Sequence, residues 1–326
     1  YHNNTDNDLM MADCDNAACS SGTVTTVDSA TAADTGEYTS IYCLATDNCK
    51  ISYNNNTAND LMMVDCSNAT CGTNTKTTVD STTSVITGEF TAIYCISDTD
   101  CKIAYRDVSN TALMFADCGA ADCSTVTRTL LDGNTGCVLT GCQSADNNGS
   151  FNSIYCLATD DCNISYYSGT GGNLILADCT AVAGDCSSGT RVLLDGATGC
   201  VLSTCNAVNA GSLGTSIYCP AADDCKITYN DADNVDLRMI DCADTDCDSA
   251  GNTETSSLLD GGASCTLTNC STTVGSGSQS SIFCPANDGA DCKITYRLDT
   301  AGNTEDLKMG DCGSATCGSG TTLTLD

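Results

Sequence analysis

The sequence predicts an all-β chain of repeated four-stranded units, and three observations carry that prediction. The motif Ile-Tyr-Cys recurs at Cys43, Cys95, Cys156 and Cys219 and returns as Ile282-Phe283-Cys284, in steps of 52, 61, 63 and 65 residues. Each copy is followed by a Lys-Ile-x-Tyr segment: Lys50 to Tyr53, Lys102 to Tyr105, Asn163 to Tyr166, Lys226 to Tyr229 and Lys293 to Tyr296. The repeated segments are short, alternate apolar with polar residues and are parted by Asn, Asp, Gly and Ser clusters, which is the signature of strands and turns. No stretch carries the period of an amphipathic helix. Four strands at a period of about 50 to 60 residues is the pattern of a β-propeller blade, with a β-solenoid coil as the alternative.

Within a unit, strand A ends in Ile-Tyr-Cys and strand B is Lys-Ile-x-Tyr. Strand C is typified by Asp60-Leu61-Met62-Met63-Val64-Asp65-Cys66, and strand D closes on Asp, as in Thr77-Thr78-Val79-Asp80 and Leu193-Leu194-Asp195. One repeat domain, 1–326, is expected to hold successive blades at 29–80, 81–132, 133–195, 196–260 and 261–326. Residues 1–28 differ. Tyr1 to Asp8 spans the same count as Tyr53 to Asp60, so Tyr1 aligns with the end of strand B and the chain opens with a C–D hairpin alone. Six C–D hairpins against five A–B hairpins predict five full blades plus an extra hairpin, or a six-bladed ring. Either residues that would complete a sixth blade lie outside this sequence, or the extra hairpin, with Asp8, Leu9, Met10, Met11, Val24 and Val27 as its contact residues, presents an unpaired edge for joining another chain.

Cysteine usage sets the compartment. All 28 cysteines fall into short local pairs, leaving no odd thiol. Cys43–Cys49, Cys95–Cys101, Cys156–Cys162, Cys219–Cys225 and Cys284–Cys292 would clip the A–B turn. Cys14–Cys19, Cys66–Cys71, Cys118–Cys123, Cys179–Cys186, Cys242–Cys247 and Cys312–Cys317 would clip the C–D turn. Cys137–Cys142, Cys200–Cys205 and Cys265–Cys270 lie in the longer D-to-A connections. Structural zinc draws on C-x-x-C knuckles or several histidines, and the chain has no C-x-x-C and one His, His2. Disulfides are therefore expected, which points to an extracellular or cell-surface location. Each small loop removes unfolded-state entropy of about 2 kcal/mol on the chain-entropy model, helping a chain with no Trp and 4 Phe to hold its shape. The first residue is Tyr1 and signal-peptide features are absent, as in a processed chain or a segment of a longer one.

The string from Val27 to Asp65, VDSATAADTGEYTSIYCLATDNCKISYNNNTANDLMMVD, carries a resemblance. It is similar to the tandem repeats of secreted bacterial β-propellers, whose blades read roughly T-V-D-S…G-x-Y-T-S-L-A-x-D…G-x-P-H-I-S-Y-Y-D…D-L-K-Y-A. The I-S-Y and D-L positions keep their spacing, and the likeness runs unit by unit over nearly the whole chain. The Gly-x-Pro-His turn is replaced by a Cys-clipped loop, and the aromatic that opens strand D is missing. The resemblance implies a propeller and secretion, and little about activity.

Charge and chemistry exclude several classes. With 42 acidic against 11 basic side chains and a net charge of −31, the chain repels nucleic acid. No apolar run approaches the roughly 20 residues of a membrane span. The one His, the absence of a free thiol and of a G-x-S-x-G context, and only four Glu (Glu37, Glu89, Glu254 and Glu305) give an expectation of no enzyme. Asp13, Asp65, Asp117, Asp178, Asp241 and Asp311, repeated before the third-strand cysteines, read as turn or capping residues. Lys50, Lys102, Lys226 and Lys293 read as partners of the repeated aspartates, with anion binding in a central channel as the alternative. The Tyr53, Tyr105, Tyr166, Tyr229 and Tyr296 stripe reads as inter-blade core with a polar tip. No cofactor is expected. Weak calcium binding is left open at Asp231, Asp233 and Asp236 with Asp223 and Asp224 nearby, although the twelve-residue calcium loop is absent. Glycan acceptors of the N-x-S/T type stand at Asn3, Asn55, Asn68, Asn148, Asn163 and Asn269.

These readings combine into an expectation of an extracellular structural subunit that joins copies of itself head to tail into a filament or layer. The competing expectation is a lectin-like or adhesin propeller that binds glycans or cell-surface ligands.

Overall fold

A computed structural model describes the chain apart from residues 17–18, 30–33, 82–85, 160, 180–183, 206–208, 222–223, 243, 245–246, 248–253, 273–274, 286–290, 301–303, 315 and 326. Six antiparallel sheets follow one another along the chain and form the blades of a six-bladed β-propeller. Blade 1 has three strands, β1 (His2–Asn3), β2 (Asp8–Cys14) and β3 (Gly22–Asp28). Blade 2 has β4 (Thr35–Ala45), β5 (Asn48–Asn55), β6 (Asp60–Cys66) and β7 (Asn74–Asp80). Blade 3 has β8 (Thr87–Ser97), β9 (Asp100–Asp107), β10 (Ala112–Cys118) and β11 (Val126–Asp132), and blade 4 has β12 (Ser150–Ala158), β13 (Asp161–Ser168), β14 (Asn173–Asp178) and β15 (Thr190–Asp195). Blade 5 has β16 (Ala210–Ala221), β17 (Asp224–Asp231), β18 (Asp236–Asp241) and β19 (Thr255–Asp260). Blade 6 has β20 (Gly275–Phe283), β21 (Lys293–Thr300), β22 (Thr304–Cys312) and β23 (Gly320–Thr324). Strand order in each blade is sequence order, so every blade is a meander, and the first strands β4, β8, β12, β16 and β20 adjoin one another in turn.

Packing lies between blades, not within them. Among the described residues five apolar clusters are present, and each joins two consecutive blades: Leu9, Met11 and Val27 of blade 1 meet Ile51, Tyr53 and Val64 of blade 2, and the pattern continues to blade 6. A flat sheet has two apolar faces and can bury both only by stacking on neighbours, which is why the repeat stands on its junctions.

A polar joint accompanies each cluster. The hydroxyl of Tyr53 donates to Asp28 at 2.6 Å, Tyr105 to Asp80 at 2.7 Å, Tyr166 to Asp132 at 2.6 Å, Tyr229 to Asp195 at 2.8 Å and Tyr296 to Asp260 at 2.5 Å. In every case a tyrosine of one blade's second strand grips the aspartate that ends the previous blade. Cations of the later blade add to the grip: Lys76 on Asp28, Arg128 on Asp80, Arg191 on Asp132 and Lys308 on Asp260. The tyrosine stripe is thus inter-blade core with its polar tip satisfied.

The first strand of each full blade is bent by a bulge. Gly36, Gly88, Gly149, Gly211 and Gly277 all have positive φ, and Tyr38, Phe90, Phe151 and Gln279 follow with φ near +50°. The glycine is required by proximity as well as by φ: a Cβ at Gly88 would lie 2.9 Å from Leu61 Cα, and one at Gly36 would lie 2.8 Å from Leu9 Cα. The bulge leaves backbone amides facing the previous blade, where serines accept them: Ile93 N donates to Ser40 Oγ at 3.1 Å, Ile217 N to Ser153 at 3.2 Å and Ile282 N to Ser216 at 3.2 Å.

Fourteen disulfides join the cysteines, and no thiol is free. Each closes a hairpin or loop within one blade or its connection. The repeated aspartates before the third-strand cysteines differ from the expectation of turn caps. Asp65, Asp117, Asp241 and Asp311 lie across the strand pair from Lys50, Lys102, Lys226 and Lys293 and bond their ammonium groups. Among the described residues no helix is long and apolar enough to cross a membrane.

Candidate functional site

Among the described residues, the first blade departs from the repeat, and the axis of the ring gathers aromatic side chains around open space.

Blade 1 carries only the end of a second strand. Tyr1 exchanges backbone hydrogen bonds with Met10 at 2.8 Å, and His2 and Asn3 pair with Leu9 and Asp8, the register in which Tyr53 pairs with Met62. From Met11 to Asp13, β2 has no strand on that side among the described residues, whereas the same stretch of β6, Met63 to Asp65, is paired by Ser52 to Lys50. A cavity of about 240 Å³ occupies the place, lined by Tyr1, Met10, Met11 and Ala12 on one side and Thr39, Ser40 and Ile41 on the other.

The repeat supplies internal controls for what this gap uncovers. Ile41 is 51% exposed, while Ile93, Ile154, Ile217 and Ile282 at the same position are at most 6% exposed. On the far side of the gap, Leu307 is 46% exposed, while Leu9, Leu61, Leu113, Leu174 and Leu237 at the same position are fully buried, four of them with a glycine of the next blade against the Cα. Leu325 is 47% exposed where Val27, Val79, Leu131, Leu194 and Leu259 are buried. Ala12 and Phe283 are likewise exposed. Asp13, unlike Asp65, Asp117, Asp241 and Asp311, has no lysine across the strand.

The expected contact residues of the first hairpin fall on both sides of this picture. Leu9, Met11 and Val27 are buried against blade 2, which corrects the expectation that they offer an exposed ribbon: the hairpin's face is already spent on the first junction. Asp8 and Met10 are partly exposed and Val24 is exposed. The open surface is instead the inner edge of β2 together with the faces flanking it. Exposed Ile41, Leu307 and Leu325 could not be picked from their own residue types, and only the count of hairpins signals them.

Along the axis, tyrosines of the Ile-Tyr-Cys motif form a chain of tilted rings. Tyr42 and Tyr94 have centroids 4.6 Å apart, Tyr94 and Tyr155 4.8 Å, Tyr155 and Tyr218 4.9 Å, and Tyr218 and Phe283 5.3 Å. These rings with Ile41, Ile93, Ile154, Ser281 and Ile282 line a cavity of about 460 Å³. Burial pushes the Tyr218 hydroxyl up to about 12, with Tyr155 adding to the effect. Tyr94, half-buried, is raised further, by burial first and then by the hydroxyls of Tyr42 and Tyr155. These hydroxyls stay protonated at any ordinary pH and act as hydrogen-bond donors and acceptors, not as bases.

Clusters with metal-type side chains have structural explanations. Cys137 and Cys142, close to Asp132, are bonded to each other and offer no thiolate. His2, Asp34 and Glu37 come together, with His2 Nε2 and Asp34 Oδ1 2.9 Å apart. Later blades repeat this contact as Arg106 to Asn147 at 2.8 Å and Tyr167 to Asn209 at 3.3 Å, so it reads as another inter-blade tie. Among the aspartates considered for calcium, Asp231 accepts from Asn234 and pairs with Arg238 at 3.2 Å, Asp236 lies 3.5 Å from Arg238, and Asp224 pairs with Lys226, while Asp223 lies outside the described residues. Of the glycan acceptors, Asn3, Asn55 and Asn68 are partly exposed and Asn269 is exposed. Asn148 and Asn163 are fully buried, which corrects their expectation as attachment sites in the folded chain.

No family model matches the chain, and no curated protein matches it. Solved structures do, at low identity. A bifunctional GH43-CE protein of Bacteroides eggerthii is 9% identical with a TM-score of 0.42 over 72% of this chain, which spans 27% of that protein's length. A GH43 β-1,3-galactosidase is 8% identical with a TM-score of 0.47, covering 89% of this chain and 90% of its own. A subtype N10 neuraminidase-like protein of A/little yellow-shouldered bat is 9% identical with a TM-score of 0.45, covering 89% of this chain and 82% of its own. Such likenesses concern the fold. The expectation of no enzyme is corrected to this extent: proteins titled as GH43 enzymes, a β-1,3-galactosidase among them, are among the structures of similar fold, so missing nucleophile motifs do not exclude an activity.

Proposed function

We propose that this chain is an extracellular structural protein, a disulfide-stapled propeller that associates head to tail with copies of itself into a surface filament or layer. One observation carries the reading: among the described residues the blades that flank blade 1 expose Ile41, Leu307 and Leu325, whose equivalents are buried in the other blades of the repeat. A contact between unlike faces of identical subunits propagates unless its rotation closes a ring. Fourteen disulfides and no free thiol suit an oxidising space outside the cell. Light scattering of the purified chain over a range of concentrations, with electron microscopy under non-reducing conditions, tests the proposal. Fibres or sheets with a repeat near one propeller support it, and a monomer at all concentrations overturns it.

A second reading is favoured by the axial cavity. Tilted tyrosine rings with protonated hydroxyls give a wall that is apolar in body and polar at the tip, suited to a glycan or another polyol. A glycan screen with the wild-type chain and a Tyr94→Ala variant checks this: binding lost in the variant supports it, and no binding by either removes it.

A further inference from the structure

We propose that blade 4 binds a calcium ion between Asp161 and Asp178, at the place that a lysine ammonium takes in four other blades.

The four filled copies define the site. Lys102 lies 2.9 Å from Asp100, two residues before it, and 2.5 Å from Asp117 across the strand pair. Lys226 is held in the same way by Asp224 and Asp241, and Lys293 by Asp291 and Asp311. In blade 2, where Asn48 stands in the place of Asp100, Lys50 bonds Asp65 and takes its second carboxylate from Asp98 of the next blade. Every copy sets one cation between two carboxylates, and three of the four lysines are almost wholly buried.

Blade 4 keeps the acids and lacks the base. Asn163 replaces the lysine, with Asp161 two residues before it and Asp178 across the pair, the register of Lys102 with Asp100 and Asp117. Asn163 and Asp178 are buried. Asp161 Oδ1 is buried and has no hydrogen-bond partner. Burial first, and then the charge of Asp178, raises the Asp161 carboxyl, so the two acids repel each other where the other pairs share an ammonium. Carboxylates side by side and out of water resist ionising together unless a cation lies between them. An asparagine is shorter than a lysine and uncharged, which leaves room for that cation to come from solution.

Donor chemistry selects the ion. Two carboxylates and the amide oxygen of Asn163 make an all-oxygen set, which suits calcium once water completes its shell. The spacing of the filled copies, 2.5 to 2.9 Å at Lys102, lies nearer the calcium–oxygen distance of about 2.3–2.6 Å than the magnesium–oxygen distance of about 2.0–2.1 Å. Cys156, Cys162, Cys179 and Cys186 nearby are all disulfide-bonded and offer no thiolate to zinc.

The test uses the full oxidised chain, stripped with EDTA, titrated with calcium chloride by calorimetry and melted under non-reducing conditions. One-to-one binding and a raised Tm are expected. Asp161→Asn should bind calcium at least about tenfold more weakly. Asn163→Lys restores the ammonium of the other blades, so its Tm should exceed that of the stripped parent and rise no further with calcium. Asp47→Asn, at an exposed turn of blade 2, controls for loose binding to a chain of net charge −31 and should behave as the parent does. A parent whose Tm ignores calcium, or an Asn163→Lys chain that gains as much from calcium as the parent, overturns the inference. A stripped parent that gains Tm on acidification and none from calcium shares a proton between the two acids, which overturns it as well.

Discussion

At the scale of single residues, the junction between blades turns on the buried aspartate that ends each fourth strand. Asp80 accepts from Tyr105 and Arg128, and Asp132 accepts from Tyr166, Arg191 and the backbone amides of Gly133 and Gln143. Removing one donor leaves a buried charge less well satisfied, so Tyr105→Phe should cost about 1–3 kcal/mol, read as a lower denaturation midpoint under non-reducing conditions. Tyr1→Phe, at an exposed ring, should leave the midpoint unchanged. The same joints set the response to alkali. Burial, then the neighbouring aspartate, raises the hydroxyls of Tyr53, Tyr105, Tyr166, Tyr229 and Tyr296. Burial pulls Lys50 and Lys102 down, but their aspartate hydrogen bonds outweigh it and leave both raised. A group raised in the folded state holds its proton there while the unfolded chain gives it up. The stability it contributes is complete below about pH 10 and is lost as the pH climbs beyond. Absorbance at 295 nm should therefore show the tyrosines of these joints ionising only with loss of circular dichroism. Ionisation of every tyrosine in a chain that stays folded would contradict this. The tyrosine stripe and the lysine–aspartate pairs were legible from period alone. The aspartate that each tyrosine grips was not, because it lies in another blade, 25 to 36 residues back.

At the scale of the element, strands were legible and their distortions were not. Ile-Tyr-Cys and Lys-Ile-x-Tyr mark the ends of paired strands because alternation and turn residues are local properties. The bulge of the first strand answers to something distant: the leucine of the previous blade fills the space a side chain would need. Gly88→Val should accordingly destabilise the chain by about 1–3 kcal/mol or more, through overpacking on Leu61 and an unfavourable φ. Hydrogen exchange should rise in blades 2 and 3 and not in blade 5, since each blade touches only its neighbours. Uniform loss of protection would show that the junctions act as one unit. The first hairpin makes the same point in reverse. Its sequence reads as a free ribbon, and the apolar face of Leu9 and Val27 is instead taken up by blade 2.

At the scale of the whole molecule, six blades in a ring have six junctions, and among the described residues five carry an apolar cluster. The amides of Ala12 and Ile41 and those around Leu307 should exchange soonest within strands. Protection there equal to that of blade 4 in the unassembled chain would count against an open junction. The excess of C–D over A–B hairpins was legible by counting; which faces the imbalance lays bare depended on the ring. One property of the staples reaches back to the making of the protein. No two bonded cysteines are more than eight residues apart, and no bridge crosses from one blade to the next. Twenty-eight thiols drawn at random would offer a vast number of wrong partners, yet here each meets its mate within a hairpin, soon after synthesis. Oxidation can follow the growing chain blade by blade, and a blade can be gained or lost in descent without stranding a cysteine.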